Sequence, residues 1–255
     1  MEISAKAVMD LRNKTGVSMM AVKKALMEAD GDEDKAIEIL RKRGETKSSE
    51  KADRMTGEGA VALSIKGNKA CITELRCETD FVARNEAFVK LAQDMADRFL
   101  AEGDAAKDKN EAMVKDAVNT LGENIQLGEF RIIEAPVIGG YIHSNRKIGV
   151  LIGLEGGNEE KARDVAMHAA AMNPVVVSPH EISAELIAKE KEIWAEQLKA
   201  EGKPEAMLEN IMKGKEKKFR EEGALVSQTF VKDGGMTVGE YLNEAKVLSY
   251  VRMKI

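Results

Sequence analysis

Through the first 45 residues apolar side chains recur at helical spacing in three bursts. Ala7, Val8 and Leu11 set the first, which stops at Thr15-Gly16. Ser18 can cap a second, which carries Met19, Met20, Val22, Ala25 and Leu26. Asp30-Gly31-Asp32 breaks it, and Ala36, Ile37, Ile39 and Leu40 carry a third that ends before Gly44. Three helices in so short a stretch make a small core, typical of a recognition module. Met19 and Met20 are neighbours and cannot share one helix face, so at least one is exposed. Either they offer adaptable contact surface or they fill gaps in the small core.

A polar stretch from Thr46 to Thr56 reads as a linker or a solvated helix extension. Beyond it the period changes to two. Ala60 to Ile65 and Ala70 to Leu75 flank Lys66-Gly67-Asn68-Lys69 as a hairpin. The second run then breaks at Cys77-Glu78-Thr79-Asp80-Phe81, where Thr-Asp ends a strand and opens a helix. Phe81 is conspicuous there as one of six Phe in the chain. It either staples its own helix or stands outward as an anchor for a partner's pocket. Phe88, Leu91, Ala92, Met95 and Phe99 mark the buried face of the next helix, Ala112 to Leu121 forms another that stops at Gly122, and Ile125 to Ile133 reads as a strand.

The pattern then recurs. Val137 to His143 and Ile148 to Leu154 form a second hairpin around Ser144-Asn145-Arg146-Lys147, and Glu159 to Met172 follows as a helix. A hairpin followed by a helix, twice, suggests two related α+β units. From Ser183 to Glu222 the apolar positions thin to two stripes, Leu186, Ile187, Ile193, Trp194, Leu198 and then Met207, Leu208, Ile211, Met212, separated by Gly202-Lys203-Pro204. This reads as a helical hairpin with a narrow seam, either projecting from the body or laid flat on it. Leu225 to Val231, a short helix at Val238 to Asn243, and Val247 to Met253 return to the second unit and complete its sheet.

Composition narrows the function. The chain has 255 residues, 33% of them charged and 4% aromatic, with a net charge of -5 and a pI near 5.5. That balance argues against nucleic acid as the main partner. Cys71 and Cys77 fit no metal-ligand spacing and read as core, and the lack of a signal peptide or membrane-length run reads as cytoplasmic, with no membrane partner. His143, His168 and His180 form no zinc pair, and no phosphate-binding Gly loop or nucleophile elbow is present. No catalytic residue, metal ligand or cofactor site is expected, and His168 reads as a packed core histidine.

Two long stretches carry a resemblance: residues 11–26 (LRNKTGVSMMAVKKAL) and 74–84 (ELRCETDFVAR). They resemble the signature segments of bacterial elongation factor Ts, and the likeness continues through residues 121–125 (LGENI), Tyr141-Ile142-His143, residues 166–170 (AMHAA) and Phe230-Val231. The family is the guanine nucleotide exchange factor of elongation factor Tu, the GTPase that brings aminoacyl-tRNA to the ribosome, and it does no bond chemistry. The resemblance implies a three-helix module like a ubiquitin-associated domain over residues 1–45, a linker over 46–56, a two-part α+β core with antiparallel sheets, and a coiled-coil hairpin inserted at 183–223. The core's first part would span 57–136 and its second 137–182 with 224–255.

It also implies that Thr79, Asp80, Phe81 and Val82 form a wedge that perturbs the magnesium and phosphate side of the partner's nucleotide site. Met19, Met20 and Lys23 would grip the same domain, and Leu121, Gly122, His143 and Val231 match further contacts. Ala21, Val22 and Lys232 depart from the family pattern. A homodimer, or a heterotetramer with elongation factor Tu, stays open.

Overall fold

In a computed structural model, which describes residues 3–15, 17, 19–42, 51, 54–201 and 204–255, the order of elements follows the periodicity closely. The Ser18 cap, the stops at Gly16 and Gly44, most of the 46–56 stretch and the Gly202-Lys203 turn lie outside these residues. Helices α1 (Ala5–Thr15), α2 (Met19–Glu28) and α3 (Glu33–Lys42) bury Val8, Leu11, Val22, Ala25, Leu26, Ala36 and Leu40 in one small cluster. Asp30 and Gly31 take left-handed φ of 52° and 86°, which turns the chain between α2 and α3.

Two three-stranded antiparallel sheets follow. The first, in order β1-β2-β3, pairs β1 (Glu58–Lys66) with β2 (Lys69–Cys77) around a Gly67 turn, and β2 with β3 (Gln126–Glu134). The second, in order β4-β5-β8, is made of β4 (Val137–Ile142), β5 (Ile148–Glu155) and β8 (Lys246–Lys254).

Strand alternation sets the layers. On β1 and β2, Ala60, Ala62, Leu75 and Cys77 join Phe88, Ala92 and Met95 in one core. These last come from helix α5 (Glu86–Glu102), and Val114 and Val118 of α6 (Lys107–Leu121) pack on the same core. The alternate positions Val61, Ala70 and Ile72 meet Leu151 and Met253 of the other sheet. On β5, Val150, Ile152 and Leu154 face helix α7 (Glu159–Met172) with Ala162, Val165, Ala166 and Ala169. The result is a helix–sheet–sheet–helix stack. Glycines allow the close approach, and two show how. A Cβ at Gly149 would lie 2.5 Å from Val61 Cγ1 across the sheets, and one at Gly139 would lie 2.2 Å from the backbone nitrogen of Arg163 in α7.

Helices α8 (Ala184–Ala200) and α9 (Glu205–Gly223) pack on one another. Trp194 meets Phe219 edge-on at 5.7 Å, and Lys191 pairs with Glu216 at 2.6 Å. Of the first stripe, Ile187, Trp194 and Leu198 are buried, while Ile193 stays exposed. Where the pair meets the rest, Arg220 donates to the carbonyls of Pro179 and Ile182.

Two expectations need correction. The helix read as starting at Ala112 already begins at Lys107, through a polar segment with no apolar period to betray it. The strand read over Leu225 to Val231 is instead a 3-10 turn, Leu225–Ser227, followed by the two-residue β6 (Thr229–Phe230). The amides of Leu225 and Val226 bond the carbonyls of Val176 and Val177, which draws this segment away from the main sheet. β6 pairs with β7 (Asp233–Thr237) in a separate ribbon ahead of the short α10 (Val238–Leu242), and β8 alone completes the second sheet.

Candidate functional site

β2 ends at Cys77, and three residues later a helix of one turn begins, α4 (Asp80–Ala83). Thr79 is its N-cap, accepting from the Val82 amide at 3.4 Å, and Asn85 caps α5 in turn by accepting from Ala87 at 2.9 Å. Two caps so close leave α4 no room to lengthen. Ala83 enters the core and Val82 packs against it. Phe81 stands about 200° around the helix from Ala83, and so it points away. Phe81 is 83% exposed. The staple alternative is thereby excluded, since such a ring would be covered by its own helix. Asp80 is half-exposed beside it and pairs with Arg84 at 3.2 Å.

The base of this turn is bound to the far end of α6. Gly122 closes α6 in the left-handed conformation, φ 81°, and the chain then turns back under α4. Glu123 accepts from the Glu78 amide at 3.1 Å, the Thr79 amide at 3.0 Å and the Thr79 hydroxyl at 2.5 Å. In return Glu78 accepts from the Asn124 amide at 2.6 Å and from Arg54 at 3.4 Å. Asn124 donates to the Arg54 carbonyl at 2.7 Å, and Lys51 donates to the Gly122 carbonyl. The end of the polar 46–56 stretch is therefore pinned to the core.

Other expected contact residues gather nearby. Leu121 packs against the first core, with Gly122 exposed beside it. A cleft lined by Glu58, Asp80, Ala83 and Arg84 is closed on its other side by the 144–147 turn, where Lys147 pairs with Glu58 at 2.5 Å. His143 begins that turn, exposed, its Nδ1 3.1 Å from the Tyr141 hydroxyl. Tyr141 also lines a second cleft with Lys232, which pairs with Asp164 at 2.5 Å.

Val231 is exposed, and its amide donates to His168 Nδ1 at 3.2 Å. His168 must then carry its proton on Nε2, which donates to Gln228 Oε1 at 2.9 Å. Burial, only partly offset by Gln228, holds this imidazole below the ordinary histidine range, so it is neutral and structural.

Met19, Met20 and Lys23 are all exposed on α2. Their module touches the rest through α1 and through Arg41, 3.8 Å from Asp116 of α6.

Cys71 and Cys77 are buried and free, their thiols pushed up to about 12. Burial is the main cause for both, with Asp97 adding for Cys71 and Glu123 and Glu58 for Cys77. Among the described residues no group of three His, Cys, Asp or Glu is placed to hold a metal ion, and no helix is long and apolar enough to cross a membrane.

Motif and geometry missed one thing. Glu123 was legible only as a letter in the LGENI run, although an acidic residue just past a helix C-terminus stands against the helix dipole and so asks for another reason to be there.

Residues 78–255 match the family model described as Elongation factor TS. The chain is 44% identical to elongation factor Ts of Deinococcus deserti, with 98% of each chain covered, and 43% identical to that of Deinococcus radiodurans, again with 98% of each. It is 42% identical to elongation factor Ts of Francisella tularensis subsp. novicida over 99% of this chain and 92% of that one. With a family model across more than half of its residues and such relatives along nearly all of them, the chain belongs to the elongation factor Ts family.

Proposed function

We propose that the protein is a guanine nucleotide exchange factor acting in the cytoplasm on elongation factor Tu. It binds the GDP form of that GTPase and promotes GDP release by pressing Thr79, Asp80, Phe81 and Val82 against the magnesium and phosphate side of the nucleotide site. The observation that carries the reading is Phe81, an aromatic residue left 83% exposed on a one-turn helix that is capped at both ends and bonded at its base. Leaving such a ring in water forgoes roughly 1.5 to 3 kcal/mol of burial. The partner's pocket recovers it. Displacing magnesium removes the charge that holds the phosphates, and the factor itself makes and breaks no bond.

Energetics ask for more than the wedge. Weakening GDP by ~10⁴ needs roughly 5.5 kcal/mol of differential binding. One buried aromatic anchor supplies on the order of 2 to 4 kcal/mol. The remainder falls to a second grip by Met19, Met20 and Lys23, and to Leu121, Gly122, His143 and Val231 along the core. In this reading residues 1–45 are a ubiquitin-associated-like module and 57–136 the wedge-bearing part of the core. Residues 137–182 with 224–255 are its second part, and 183–223 an inserted coiled coil.

Coupling of this kind is reciprocal: a factor that expels GDP must itself be expelled by GDP. The protein should therefore co-elute with nucleotide-free elongation factor Tu on gel filtration and separate from it when GDP is added. Co-elution that GDP leaves unchanged would mean a binding scaffold with no exchange activity.

A further inference from the structure

A helix of one turn cannot hold its own direction, because the first turn fixes several dihedrals for a single hydrogen bond. The orientation of α4, and with it of Phe81, must come from outside. β2 stops at Cys77, which leaves the Glu78 and Thr79 amides without ladder partners just before α4 begins. Both donate to one carboxylate, that of Glu123, at 3.1 Å and 3.0 Å. The Thr79 hydroxyl donates to the same carboxylate at 2.5 Å, and this leaves its lone pairs aimed at the Val82 amide it caps. Glu78 returns the exchange by accepting from the Asn124 amide. Charge-assisted bonds of this type are about twice as strong as neutral ones.

We propose that Glu123 is a positioning residue for the wedge, a role that rests on the exchange reading above. It is partly buried under the turn and acts through Thr79 and Phe81 without touching the partner. The same clamp fastens Leu121-Gly122 to Asp80-Phe81, so four expected contact residues move as one block. Losing the clamp leaves the ring present but free to swing. The complex still forms through its other contacts, and the step that expels GDP slows.

The test uses the full chain and elongation factor Tu loaded with fluorescent GDP. At saturating factor, Glu123→Ala should lower the release rate by about tenfold to a hundredfold, the scale of a small misplacement of a reacting group. The concentration for half-maximal rate should change less than about threefold, since an interaction made only in the productive state is lost. Glu123→Gln keeps an acceptor for the two amides, and the Thr79 hydroxyl can rotate to accept from its new amide, so the rate should return to within about threefold of wild type. In a Phe81→Ala background, Glu123→Ala should add less than about twofold, because residues that act as one unit are not additive.

A wild-type rate for Glu123→Ala overturns the proposal. So does an equal loss in the Phe81→Ala background, or a loss that Gln does not repair. Amide hydrogen exchange on the chain alone separates this from the exchange reading. Glu78 and Thr79 should lose protection in Glu123→Ala while β1 keeps its own, and unchanged protection refutes the clamp even if the wild-type chain releases no GDP.

Discussion

Phe81 and His168 show how differently two conspicuous residues can be used. Both stood out in the sequence, one as a rare aromatic at a break in pattern and the other as a histidine on an alanine-rich helix face. The inward role of His168 could be read from its helical neighbours, because burial follows the period of the whole helix. The direction of Phe81 could not, since a staple and an anchor share one spacing. The two closely placed caps decide it, and they depend on where each backbone amide points.

His168 carries a prediction of its own. The Val231 amide faces Nδ1, so a proton placed there would lose that bond, and burial disfavours the charge as well. The folded pKa is lowered, so stability is full above the unfolded value of about 6.5 and falls as the pH drops below it. Urea midpoints measured between pH 7.5 and pH 5.5 should show a steeper fall for wild type than for His168→Gln. Equal slopes would mean that His168 does not couple to folding.

At the scale of elements, the strands and helices with a strong period were legible, and the misread ones lacked it. The first turn of α6 is polar throughout, and the segment after α9 is held by backbone bonds to Val176 and Val177 that no side-chain pattern records. Packing distance was equally hidden, because a glycine says nothing about what approaches it. Gly139 and Gly214 make opposite predictions. A methyl group at Gly139 would strike the α7 backbone, so Gly139→Ala should cost about 1 to 3 kcal/mol or more in urea unfolding. Gly214 lies within α9 with nothing near its missing Cβ, so Gly214→Ala should gain about 0.5 to 1 kcal/mol of helix stability. Trp194, the single tryptophan, reports on that helix pair by its fluorescence. A midpoint lowered by Gly214→Ala would contradict the open environment seen there.

Across the whole molecule, two sheets packed face to face with helices outside give α4 a stiff base. The 144–147 turn adds to it. Arg146 takes a left-handed φ of 58° and its carbonyl accepts from the Val61 amide at 2.7 Å, which ties the 144–147 turn to β1, on which α4 packs. The α+β class and the doubled hairpin-and-helix plan were legible from period alone. The face-to-face stacking was not, because residues such as Val61 and Leu151 meet only across ninety positions of chain.

The proposed exchange activity turns on Phe81, the exposed ring carried by this base. Its most direct measurement is release of fluorescent GDP from elongation factor Tu in excess unlabelled GDP, with the wild-type chain and with Phe81→Ala. Release should be rapid with wild type and slowed by about 30-fold to several hundredfold in a variant that keeps its fold, as expected for loss of an anchor of about 2 to 4 kcal/mol. Release by Phe81→Ala at the wild-type rate would contradict it.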